Sequence, residues 1–180
     1  MPTLIIVEDG TSPDGANSYV DVELLKSLAN TYGWILASDE TELEQGLLRA
    51  MLYLESRAEE FQGYKTESTQ PLQWPRTGAC VNCNGSIDST TIPEQLKLSQ
   101  AMLSMQVQNG RPLFPDATLV NRIEGPIKKK QIGPLIKEFY DAGDVVDRFG
   151  PTKFPEIESQ LQQIMSCGCR SGAGVYVSRG

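Results

Sequence analysis

The chain has 180 residues, enough for one domain with a real core, and its 16 glycines and 11 prolines assign much of it to turns and loops. It carries 23 acidic against 16 basic side chains, a net charge of −7, and residues 1–60 alone hold 12 acids and 3 bases. That balance excludes the overall basic footprint from which a dedicated nucleic-acid binder draws counterion-release affinity, and the absence of histidine removes the commonest general base and metal ligand.

In chain order, the apolar, β-branched run Leu4 to Val7 reads as a short strand closed by the turn residues Glu8 to Gly15. Ser18 is the expected N-cap of a first helix, with Asp21 completing a capping-box-like pair. Val22, Leu25, Ala29 and Tyr32 share one face, and Gly33 stops it. Ser38 is expected to cap the second helix, whose Leu43, Leu47, Ala50, Met51, Leu54, Ala58 and Phe61 recur at spacings of three and four. Leu48 and Leu52 widen that apolar face, which predicts contact on more than one side. From Gln62 to Thr91 the periodicity dissolves into a long loop holding Trp74-Pro75-Arg76 and Cys80-x-x-Cys83. Pro93 then suits the first position of a third helix that ends at Asn109-Gly110. Gly125-Pro126 and Gly133-Pro134 punctuate a β-hairpin predicted within 122–140, and a last helix starts near Pro155 with Ile157, Leu161, Ile164 and Met165 on its apolar face. The reading is a mainly α, α+β fold: a small bundle of about four helices with an inserted hairpin, a short N-terminal strand, and an extended arm over 168–180 following a domain over 1–167. No segment approaches the roughly 18 apolar residues of a membrane span, and the N-terminus lacks a basic n-region, so a soluble, cytoplasmically made protein without a membrane partner is expected.

Each candidate site carries two readings. Cys80-x-x-Cys83 and Cys167-x-Cys169 could offer four thiolates to zinc, but one intervening residue in the second pair is tighter than usual; free thiols are favoured, and no metal or cofactor is expected. Lys128, Lys129 and Lys130 form the one basic run, either a contact for phosphates or an acidic partner, or a solvated strand near a hairpin tip. Trp74, Pro75 and Arg76 are either an interface or, as favoured, a loop anchor in which Trp74 fills a hole in the helical layer and Arg76 pairs with an acid. Val175, Tyr176 and Val177 alternate as a strand would after a glycine tether, either to join a sheet edge on another protein or to fray. With no nucleophile–base pair, Gly-x-Gly-x-x-Gly, Walker loop or His/carboxylate metal set, an enzyme is not expected.

Several segments in order carry a resemblance: Val7-Glu8-Asp9-Gly10, Ala16-Asn17-Ser18-Tyr19-Val20, Leu48-Arg49-Ala50, Gly63, Gln70, Trp74-Pro75-Arg76, Gly78, Ile92-Pro93 and the run from Ile127 to Leu135. Together they resemble the head–tail connector or adaptor proteins of tailed bacteriophages, a family also labelled as a DnaT-like single-stranded-DNA-binding domain. The resemblance implies a homo-oligomeric ring of about twelve copies in the virion, assembled in the host cytoplasm. The ring would sit between the portal protein and the tail-completion or tail-tube proteins, with genomic double-stranded DNA passing through unbound. It would place Val175, Tyr176, Val177 and Arg179 on a portal-docking arm, Trp74, Pro75 and Arg76 at an anchor or inter-subunit contact, and Lys128, Lys129 and Lys130 on a hairpin facing a neighbour, the tail or DNA. The C-V-N-C-N-G stretch departs from the aspartate-rich turn expected there. The alternative is a single-strand-binding accessory protein, which needs a basic, aromatic-lined groove; Lys128–Lys130 with Phe139 or Tyr140 is the nearest approach to one.

Overall fold

The computed structural model describes residues 4–82, 85–114, 127–131, 136–139 and 151–165, the two segments within 127–139 by their backbone alone. Among them are four α-helices, α1 (Val22–Tyr32), α2 (Glu40–Glu55), α3 (Glu94–Gln108) and α4 (Pro155–Leu161), and a 3-10 turn at Ala58–Glu60. Three antiparallel strand pairs accompany them: β1 (Tyr64–Lys65) with β2 (Arg76–Thr77), β3 (Cys80–Val81) with β4 (Gly85–Ser86), and β5 (Ile127–Gln131) with β6 (Ile136–Phe139). This is the expected mainly helical α+β fold, with the hairpin inside the predicted segment.

The apolar stripe of α2 dictates its packing. Leu43, Leu47, Ala50, Met51 and Leu54 are all buried, most of them against α3. Gly46 brings the two helices close, since a β-carbon there would lie 2.7 Å from Ser104 Oγ on α3. Helix α4 closes the other side of α3 with Ile157 and Leu161 buried. The stripe runs past the end of α2 through the 3-10 turn to Phe61, whose ring meets Trp74 edge-on at 6.0 Å. The long segment after α2 is therefore part of the core, where Leu72, Trp74, Ala79 and Ile92 are all buried. Replacing one fully buried tryptophan of this kind by alanine costs on the order of 3–5 kcal/mol.

Four local expectations are corrected. The N-terminal strand is reduced to one bridge, Val7 with Ser18, because the Asn17 side chain takes the place of a strand partner: its Oδ1 accepts the Ile6 N–H at 2.9 Å and its Nδ2 donates to Leu4 O at 2.8 Å. Helix α1 is capped by Asp21, which accepts the Leu24 N–H at 2.7 Å, while Ser18 is engaged elsewhere, donating to Val20 O and accepting from the buried Gln100 amide. Helix α2 is capped by Asp39 rather than Ser38; in both cases a carboxylate occupies the positive end of the helix dipole. Pro93 likewise sits at the cap of α3, one residue before its first turn.

Two polar ties fasten distant segments. Gln100 on α3 donates to Ser18 Oγ and Leu47 O and accepts the Tyr19 N–H at 2.9 Å, all within the interior. Arg57, 5% exposed, pairs with Glu60 at 2.7 Å and with Glu158 on α4, while the Tyr53 hydroxyl donates to Thr152 O at 2.8 Å. The 151–165 segment is thus pinned to the end of α2.

Candidate nucleic-acid interface

The outer side of α2 is where the packing leaves apolar and cationic groups uncovered. Leu52 is 66% exposed, although it lies one residue beyond the buried Met51. It separates two concavities, and Arg49, one turn before it, also lines both.

The first is a cleft of about 310 Å³ between α2 and the turn that follows α3, lined by Arg49, Leu52, Val107, Gly110, Arg111, Pro112, Leu113 and Phe114. The turn is built by chain geometry. Helix α3 ends at Asn109, Gly110 takes a left-handed φ of 69°, and the Arg111 N–H returns to Gln106 O at 2.9 Å. Leu113 is buried as a plug, and Thr152 clamps the turn, its N–H donating to Leu113 O and its hydroxyl to Pro112 O. Phe114 then leans on the Tyr53 ring at 6.1 Å with 47% of its surface exposed. Burial, with Glu158 nearby, pushes the Tyr53 hydroxyl up to about 12, so it remains a neutral donor holding Thr152 at ordinary pH. The outcome is a half-exposed aromatic ring in a lining that includes two exposed arginines and no carboxylate.

The second concavity, also about 310 Å³, is almost wholly apolar, formed by Ala16, Leu48, Met51, Leu52 and Leu72 with Asn17, Arg49 and Glu55 at its border. Glu55 accepts from Gln73 N at 3.1 Å and from the Tyr19 hydroxyl at 3.4 Å, and burial holds its carboxyl above the usual range. A further apolar projection lies on the α1–α2 connection, where Ile35 is 90% exposed beside the stacked rings of Tyr32 and Trp34, 5.1 Å apart.

The sequence-predicted site residues are distributed elsewhere. Trp74 is fully buried, Pro75 follows it through a cis peptide bond, and Arg76 is 7% exposed. Arg76 does not pair with an acid; its guanidinium donates to the carbonyls of Gln62 and Gly63 at 2.7 Å and to Gln73 Oε1 at 3.1 Å. A folded-back loop presents a ring of orphan carbonyls, and a planar five-donor cation satisfies several at once. Gln70 assists, donating to Leu72 O and Pro75 O. Lys128, Lys129 and Lys130 lie on β5, where the backbone register sets Lys129 opposite Glu138 and Lys130 opposite Lys137. Val175, Tyr176, Val177 and Arg179 lie outside the described residues, as do Cys83, Cys167 and Cys169. Cys80 is a partly buried free thiol donating to Gln62 Oε1. No group of three or more metal-ligating side chains converges among the described residues, and no helix there is long and apolar enough to cross a membrane.

Sequence reasoning missed the Arg49–Arg111–Phe114 cleft, although Arg49 lies within the Leu48-Arg49-Ala50 segment. An exposed arginine in the middle of a widened apolar face was the available signal.

The geometry is that of a mainly helical α+β domain. The chain belongs to the family described as "Putative DnaT-like ssDNA binding protein", whose profile matches residues 3–180. No curated protein and no solved structure matches the chain.

Proposed function

We propose that the protein binds single-stranded DNA across the cleft between α2 and the turn after α3. The observation that carries this reading is the meeting of Arg49, Arg111 and the half-exposed Phe114 ring in a lining without carboxylates. The family's description names the same ligand. A base would stack on Phe114, worth about 1–3 kcal/mol, while the two guanidiniums hold flanking phosphates. Releasing counterions from about two phosphates gives a log–log salt slope of about −1.4, or a roughly sevenfold loss of affinity between 50 and 200 mM salt. Anisotropy of a fluorescein-labelled oligothymidine tests this. The full chain should bind with that salt dependence, and Phe114→Ala and Arg49→Ala/Arg111→Ala should lose binding at unchanged melting temperature. Undiminished binding by both variants would refute it.

A second reading, the virion adaptor, draws on a different observation: Ile35 and Leu52 project from the surface and an apolar groove lies open beside Leu52. Faces of this kind suit assembly between copies and with other proteins. In this reading the chain forms a ring between portal and tail proteins in the virion, doing no chemistry. The 127–139 hairpin and the 168–180 arm make contacts there, and double-stranded DNA passes through unbound. Mass measurement of the protein mixed with portal rings separates the two: a portal complex supports the adaptor, and a protein indifferent to portal rings removes it.

A further inference from the structure

On another part of the molecule, a cleft of about 330 Å³ opens between the Val7–Asp9 turn, the start of α1 and the Thr90–Lys97 segment. The turn is pressed onto its neighbour: Gly10 has a φ of 105°, and a β-carbon there would fall 1.8 Å from Thr90 O, so only glycine fits. Four carboxylates line the cleft or its rim, Glu8, Asp9, Asp21 and Glu94. Glu8 differs from the rest. It is 1% exposed, its Oε1 accepts the N–H groups of Gly10 at 2.8 Å and Ser12 at 3.0 Å, and its Oε2 has no hydrogen-bond partner.

A buried carboxylate oxygen without a partner carries a large desolvation cost, which a cation would offset. Three kinds of cation compete, and the geometry separates them. A metal ion needs several oxygens converging on one point, and no three carboxylates do so among the described residues. A guanidinium is best matched by both oxygens of a carboxylate, but Glu8 Oε1 is already held by two backbone donors. A primary ammonium needs one charged acceptor and lesser ones around it, here Glu8 Oε2 with Thr90 and Thr91 at the wall. Leu24, Ile92 and the Tyr19 ring supply apolar surface for a four-carbon stem. Lys97 borders the cleft, but its ammonium is engaged by Glu94 at 2.9 Å.

We propose that this cleft receives a lysine side chain from a protein partner, with Glu8 Oε2 as its acceptor. The charges at the cleft itself, Glu8, Asp9, Asp21 and Glu94 against the one cation Lys97, favour the approach of a basic segment.

The test is an amide NMR titration of the full chain with Nα-acetyl-lysine amide, its norleucine and arginine counterparts, butylamine and calcium chloride. The lysine amide should shift the Gly10 and Ser12 amides saturably, norleucine should leave them unmoved, and arginine should bind about tenfold more weakly. Glu8→Gln keeps the Oε1 acceptor and therefore the turn, yet should abolish the response; Lys97→Gln, by removing a resident ammonium, should strengthen it. Should Glu8→Gln not fold, Asp21→Asn keeps the helix cap, removes a rim charge and should weaken lysine binding about threefold. The proposal falls if Glu8→Gln, or in its place Asp21→Asn, responds like the parent protein. It falls equally if calcium moves these amides at lower concentration than lysine does, or if butylamine binds more tightly than the lysine amide, which would make the ligand a free amine.

Discussion

Replacing Gly46 by alanine tests whether the close approach of α2 and α3 is set by this one position. Glycine inside a helix costs about 1 kcal/mol relative to alanine, so propensity alone predicts a gain. The structure opposes it, because the new β-carbon would sit 2.7 Å from Ser104 Oγ, although 3.6 Å from Ser104 O and 3.8 Å from Ser104 Cβ. Both helices are fixed by core on either side, so the strain falls on the Ser104 hydroxyl, which accepts from Gln108 Nε2 at 3.3 Å and is fully buried. Overpacking of this sort costs about 1–3 kcal/mol, so Gly46→Ala alone should destabilise by about 1 kcal/mol net. Ser104→Ala removes the offending oxygen and leaves ordinary contacts, and in that background Gly46→Ala should stabilise by about 0.5–1 kcal/mol. The coupling energy is then about 2 kcal/mol, readable from a urea-denaturation double-mutant cycle followed by circular dichroism. Equal effects of Gly46→Ala in both backgrounds would refute the reasoning.

Three further outcomes follow from the structure. Arg57→Ala leaves Glu158 in a largely buried site without its cation and should cost about 3 kcal/mol, while the double variant Arg57→Met/Glu158→Met should recover most of it, as measured by chemical denaturation. Glu55→Gln should raise the melting temperature at pH 7: burial raises this carboxyl in the folded state, so the folded protein holds the proton more tightly and loses stability as pH rises through that value. The advantage should vanish below about pH 4, where the unfolded chain's carboxyl is protonated as well, and an advantage independent of pH would contradict the assignment. Deleting residues 168–180 should leave the melting transition intact; under the adaptor reading it should also abolish portal docking, and normal docking by the truncated chain would remove the arm from that reading.

Much of the scaffold was legible because it rests on local periodicity. The α2 stripe from Leu43 to Leu54 follows the helical repeat, and its burial follows from that repeat alone. Caps were less legible, since Ser18, Asp21, Ser38 and Asp39 are all competent and tertiary bonds decide between them: Ser18 is claimed by Gln100, which comes from 82 residues away. The Arg57–Glu158 tie spans 101 residues and Arg76 chose carbonyls over an acid, neither of which any local pattern encodes. The cleft was illegible for the same reason. Arg49 belongs to α2, whereas Arg111 and Phe114 follow α3, and only packing of the two helices brings them together.

Under the proposed single-strand-binding reading, the acidic balance of the chain bears on affinity less than its total suggests. At physiological ionic strength the Debye length is about 8 Å, so a phosphate in the cleft responds to Arg49 and Arg111 far more than to carboxylates on the opposite side of the domain. What the charge does limit is affinity, because two phosphate contacts and one stacked base make a weak site. Useful binding would then require several copies on one strand, where linked sites gain by effective concentration without any new contact. Apparent affinity for oligothymidine should therefore climb steeply once the strand spans two subunits, and the step should disappear in the variant Ile35→Ser, which removes an exposed apolar projection that lies outside the cleft and is free for contact between copies. A smooth, shallow dependence on strand length, identical in both proteins, would mean that single subunits bind independently and that the apolar faces serve a partner other than the chain itself.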